Sequence, residues 1–137
     1  MTADDLRPGL RHARTLIVTP DLSVRAAAPA FGGGDDMPPV LATANLIALV
    51  EWTCVAALAP YIEAHQRTLG TRIEISHSAP TPIGMKVTAE VELIAIRGRR
   101  LRFKVGCRDE TEAIGEGFHE RAIIDHDRFM DRLARKR

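Results

Sequence analysis

Cysteine is scarce in this chain: Cys54 and Cys107 are the two among 137 residues. They lie far apart in unlike contexts, too few for a disulfide scaffold or a zinc site. A reducing compartment, the cytoplasm, is therefore expected. An excess of either charge is also missing. Lys and Arg number 19 against 18 Asp and Glu, a formal net charge of +1. That balance gives no bulk attraction to nucleic acid or to a membrane surface. The start, Met1-Thr2-Ala3-Asp4-Asp5, is acidic and has neither the basic segment nor the apolar core of a signal peptide. The longest apolar stretch, Val40 to Leu58, is interrupted by Thr43, Asn45, Glu51 and Thr53. A membrane span would bear a heavy cost for a central carboxylate, so a buried helix is expected there.

What is present suits one domain spanning 1–137 with a real core, since 45% of the residues are hydrophobic. Leu16-Ile17-Val18 reads as a first short strand before Thr19-Pro20-Asp21. Residues 26–39 hold three glycines, three prolines and two aspartates, the composition of a loop and of a lid. From Leu41 to Ala59 the residues Leu46, Ile47, Leu49, Val50, Trp52, Val55 and Leu58 leave no polar face, which predicts a helix enclosed by other structure. In 72–78 the period is two, with Ile73, Ile75 and His77 on one face and Arg72, Glu74, Ser76 and Ser78 on the other. Alternation over 85–96 and 101–108, around Arg97-Gly98-Arg99, predicts a long antiparallel hairpin. A last strand over 113–125 and a short helix carrying Phe129, Met130 and Leu133 on one side complete the order. One long buried helix wrapped by a curved antiparallel sheet is the α+β hotdog arrangement.

Two polar residues break the burial pattern. Glu51 is the one charged residue between Met37 and Glu63, in a helix with no solvent face. An ionised carboxylate buried without partners costs several kcal/mol, so it must be hydrogen-bonded or have a raised pKa. His77 shares the apolar face of Ile73 and Ile75, where an imidazole can act as base, acid or donor near neutral pH. Each alone can be a satisfied core residue, but the sheet that buries His77 must pack on the helix that carries Glu51. Thr43 is a third candidate, either as an active hydroxyl or as the helix N-cap. Eight residues separate it from Glu51, about 12 Å in a regular helix. The two therefore meet only if the chain is irregular near Thr43 or a second subunit brings them together.

Cys54 is rejected as a nucleophile, because apolar surroundings and Glu51 three residues away both raise a thiol pKa. Ser76 and Ser78 face away from His77. His65, His77 and His119 form no metal-ligand spacing, so no metal and no cofactor is expected. Arg97, Arg99, Arg100, Arg102 and Lys104 gather positive charge at the hairpin tip. They suit either a phosphate-bearing ligand such as CoA or a solvated edge protected from aggregation.

The run 43–60, TANLIALVEWTCVAALAP, then Leu69-Gly70-Thr71, then His77 before Ala79-Pro80-Thr81-Pro82-Ile83-Gly84, resembles the hotdog thioesterases typified by fluoroacetyl-CoA thioesterase. Gly98-Arg99-Arg100 and GEGFHERAI over 115–123 match that pattern too. The resemblance implies hydrolysis of a small acyl-CoA by a catalytic set of Thr43, Glu51 and His77. It further implies that the Gly70 amide lies near the thioester carbonyl and Arg121 beside the acyl pocket. The fluoroacetyl-specific member carries an aromatic lid residue just ahead of the helix, where this chain has Met37, with Phe31 in the same loop. Thioester hydrolysis is expected, and a fluoroacetyl preference is not. A hydratase or dehydratase acting on an enoyl-CoA and a non-catalytic acyl-CoA-binding module are the rival expectations. Incomplete sheet edges predict a symmetric homodimer.

Overall fold

Alternation of apolar and polar residues builds most of the sheet, and in the computed structural model five strands form it: β1 (Arg11–Ile17), β2 (Gln66–Ile75), β3 (Lys86–Arg97), β4 (Arg100–Asp109) and β5 (Ala113–Asp125). The structure describes residues 1–27 and 34–137. The helices are α1 (Val24–Ala27), α2 (Thr43–Leu58) and α3 (His126–Ala134). All strand pairs are antiparallel, in the order β1-β3-β4-β5-β2. The expected hotdog arrangement is the one observed, with α2 against the inner face of the sheet.

The core follows the alternation closely. Val87, Ala89, Val91 and Leu93 of β3 and Leu101, Phe103, Val105 and Cys107 of β4 are buried, and meet Leu46, Val50, Cys54 and Leu58 of α2. The outer face carries the intervening charges, among them the Arg11–Glu92 and Arg108–Glu90 pairs. A two-residue turn joins β3 to β4, and Gly98 takes a φ of +61° there at no steric penalty.

Four expectations change. The first strand runs from Arg11 rather than Leu16 and ends at Ile17, with Val18 buried just beyond it. Its first residues are exposed on a sheet edge, so no apolar alternation announces them. Residues 26–27 close α1 instead of opening a loop, and 28–33, with Phe31, lie outside the described residues. The strand expected over 72–78 begins at Gln66 and stops at Ile75, leaving His77 just past its end. Ile73 on this edge strand is 38% exposed. Finally, α2 is not enclosed on all sides: Trp52 is 61% exposed, and Ala48, Glu51 and Val55 line an open cleft of about 830 Å³. Hydrophobicity says that a face will be covered, but not that the same chain covers it.

Beyond β2 the chain stays bonded to β5 through Ser76 N–H to the Glu116 carbonyl and Ser78 N–H to the Ile114 carbonyl. The two backbones close tightly at Gly115, where a Cβ would stand 2.2 Å from the Ser76 carbonyl oxygen. Gly115→Ala must therefore push 76–78, and His77 with it, off β5. The expected cost is about 1–3 kcal/mol, read as a Tm lower by roughly 5 °C or more in thermal unfolding. An unchanged Tm would contradict the close approach.

Candidate active site

The first turn of α2 has no side-chain cap: Ala42 occupies the N-cap position and Thr43 is the first helical residue. The Thr43 hydroxyl is thus free of the capping role, and it lies 2.8 Å from His77 Nδ1. His77 Nε2 is buried and has no hydrogen-bond partner among the described residues. Desolvation lowers the pKa of this imidazole from its usual value, so the neutral ring prevails at pH 7. A neutral imidazole against a hydroxyl can take the proton as the oxygen attacks. Ser76 and Ser78 turn away, as expected, with their hydroxyls near the Glu116 and Ile114 carbonyls.

Glu51 belongs to a different cluster. The helix is regular from Thr43 to Leu58, so irregularity near Thr43 is excluded and the two side chains stand more than two turns apart. The Glu51 carboxylate is partly exposed, not buried as expected, and its Oε2 accepts from Arg121 Nη1 at 3.2 Å. The Arg121 side chain is buried, and an unpaired guanidinium there would be costly. Its Nε donates to Thr68 Oγ1 at 3.0 Å and its Nη2 to the Thr68 carbonyl at 2.8 Å. Nη1 also meets His119 Nε2 at 3.1 Å.

Gly70 makes room for this arrangement. A Cβ there would lie 3.0 Å from Glu51 Oε2, 3.2 Å from His119 Cε1 and 3.5 Å from Arg121 Nη1. A register shift between Gly70 and Arg72 inserts an extra residue in β2, so that Gly70 and Ile73, three apart, both face inward opposite Arg121 and His119. Cys54, on the next turn of α2, has its thiol pushed up to about 12, chiefly by burial, with Arg121 opposing and Glu51 adding to the shift. It stays a thiol and is no nucleophile. Met37 is exposed, and its carbonyl accepts from Arg25 Nε. At the hairpin tip Arg97, Arg99 and Arg100 are exposed, whereas Arg102 pairs with Glu120 and stacks on Phe118 at 4.4 Å.

Residues 23–127 match the family described as Fluoroacetyl-CoA-specific thioesterase. The chain belongs to this family. It is 39% identical over 133 residues to the fluoroacetyl-CoA thioesterase of Streptantibioticus cattleyicolor, a match spanning 97% of this chain and 96% of that one. A solved structure of a fluoroacetyl-CoA thioesterase superimposes with a TM-score of 0.93 at 39% identity, over 98% of this chain and 99% of the other. A hot-dog-like protein from Thermanaerovibrio acidaminovorans, 19% identical, superimposes with a TM-score of 0.82 over 96% and 93% of the two chains, and shows the fold alone.

Sequence reasoning missed His119 and Thr68 in this thioesterase-family site. The signal for His119 was available: Gly117, His119, Arg121 and Ile123 share one face of β5 by period two, and Ile123 marks that face as the inner one. Thr68 had no comparable signal, since its part is set by pairing with β5 across the sheet.

Proposed function

We infer that the protein hydrolyses the thioester of a small acyl-CoA to the free acid and CoA. The observation that carries this reading, in a chain of this family, is the contact of Thr43 Oγ1 with His77 Nδ1. Glu51, acting with Thr43, activates a water whose oxygen attacks the thioester carbonyl; His77 takes the proton from that oxygen, and the C–S bond breaks. The Gly70 amide faces the oxyanion, and Arg121 fixes the Glu51 carboxylate. CoA leaves as a thiolate, a good leaving group, and takes up a proton as the acid departs. The acyl group is small, and Met37 in place of an aromatic lid residue argues against a fluoroacetyl preference. Two free buried thiols fit a cytoplasmic setting.

The working unit is a symmetric homodimer, with Glu51 of one copy beside Thr43 and His77 of the other. In its support, the open face of α2 exposes Trp52, and the free edge strand β2 exposes Leu69 and Ile73. Light scattering is expected to give twice the chain mass at micromolar concentration, and a monomeric mass would overturn the dimer.

The direct test is thiol release from a panel of short, branched, aromatic and halogenated acyl-CoAs. Turnover of at least one small member is expected. Hydration of crotonyl-CoA with no free thiol, or tight binding without turnover, would overturn hydrolysis. The pH dependence has a defined sign. The base form of His77 is neutral, and desolvation moves its pKa below the ordinary 6.5. kcat/KM is therefore expected to stay level through neutral pH and to fall only as the pH drops below about 6.5. A fall that begins above pH 7 would contradict this.

A further inference from the structure

His119 lies on β5, 2% exposed, and both ring nitrogens have partners that fix its protonation state. Nδ1 stands 2.8 Å from the Arg72 carbonyl oxygen, an atom that only accepts, so Nδ1 carries the proton. Nε2 stands 3.1 Å from Arg121 Nη1, which only donates, so Nε2 presents its lone pair. The ring is therefore neutral and in one tautomer. Arg121 Nη1 has two acceptors, His119 Nε2 and Glu51 Oε2, and the imidazole is the one fixed to a strand backbone. Thr68 holds the remaining nitrogens of the guanidinium.

We propose that His119 is a positioning residue: as a neutral acceptor it aims Arg121 so that the Glu51 carboxylate is held against Gly70. This rests on the reading of Glu51 as part of the machinery. A protonated His119 would turn an N–H toward the guanidinium, placing donor against donor and cation against cation. Arg121 would then lose that partner, and Glu51 its orientation. The titratable and charged groups that act on the ring are Arg121 and Glu120 of β5 and Glu51 of α2. From β2 comes the Arg72 carbonyl, its guanidinium being paired with Glu74 on the opposite face. Burial and Arg121 both oppose a charge on the ring, so the neutral acceptor is the resting state.

The full chain supplies the test in three measurements. Long-range nitrogen–proton NMR of the wild-type protein at pH 7 is expected to show His119 as the Nδ1–H tautomer. The opposite tautomer or an imidazolium would overturn the proposal without reference to activity. In thiol-release kinetics, His119→Leu is expected to lower kcat about tenfold or more with KM changed by less than about threefold. His119→Gln, which keeps an oxygen acceptor near Nε2 and cannot titrate, is expected to recover kcat to within about threefold of wild type. It should also make the acid limb of the log kcat profile less steep by about one unit of slope, because the protonation of His119 no longer contributes to it. Should His119→Leu not fold, the acid limb of His119→Gln decides, and an unchanged limb overturns the proposal. Wild-type kcat in His119→Leu beside an inactive Glu51→Gln would sink the positioning role and leave the function standing. An active Glu51→Gln would instead remove the reading beneath it.

Discussion

Replacing His77 with alanine is expected to lower kcat for thiol release by about 10²–10⁴-fold while leaving the protein folded. The residue is partly buried, and its one hydrogen bond among the described residues is to the Thr43 hydroxyl. Its removal therefore costs little packing, and Tm should move by no more than a few degrees. The chemical cost is much larger, because the proton of the attacking oxygen loses its acceptor. Thr43→Ala probes the same contact from the other side and should not add its full effect to that of His77→Ala, since the two groups act as a unit. A folded His77→Ala variant within tenfold of wild type would show that the proton passes elsewhere.

Glu51→Gln is expected to lower kcat by about 10²–10³-fold, because the amide keeps the shape of the side chain but neither its charge nor its basicity. This substitution also touches stability. Arg121 is 5% exposed in its side chain and loses its counter-charge, whereas Glu51 is 41% exposed and is screened by water. A loss of about 1–2 kcal/mol follows, between the values for surface and buried pairs. Thermal unfolding and thiol release on one preparation separate the two effects. Near-normal turnover in Glu51→Gln would remove the carboxylate from the mechanism.

The elements with strong local periodicity were legible from the sequence. The hairpin of β3 and β4, the limits of β5 and the helix α2 follow from apolar spacing that each segment carries within itself. Edge strands were less legible. Arg11 to Arg14 of β1 and Arg67 to Arg72 of β2 are largely exposed, so burial imposes no alternation on them. Glu51 was singled out for being charged in an apolar helix, and the reason given, full enclosure, does not hold in the single chain. Its partner is nonetheless of the kind that the burial argument demands, a cation with matching hydrogen bonds.

The sequence by itself determined that one apolar helix packs on an antiparallel sheet, and that Glu51 and His77 are out of place in that pattern. Composition and period depend on neighbours a few residues away, and they are enough for that much. The tertiary structure decided which groups meet: Thr43 with His77, 34 residues apart, and Glu51 with Arg121, 70 apart. Those contacts depend on strand register, on the extra residue after Gly70 and on the close approach at Gly115, none of which a local period encodes. It also showed that Glu51 and Thr43 occupy separate stations along one regular helix, more than two turns apart.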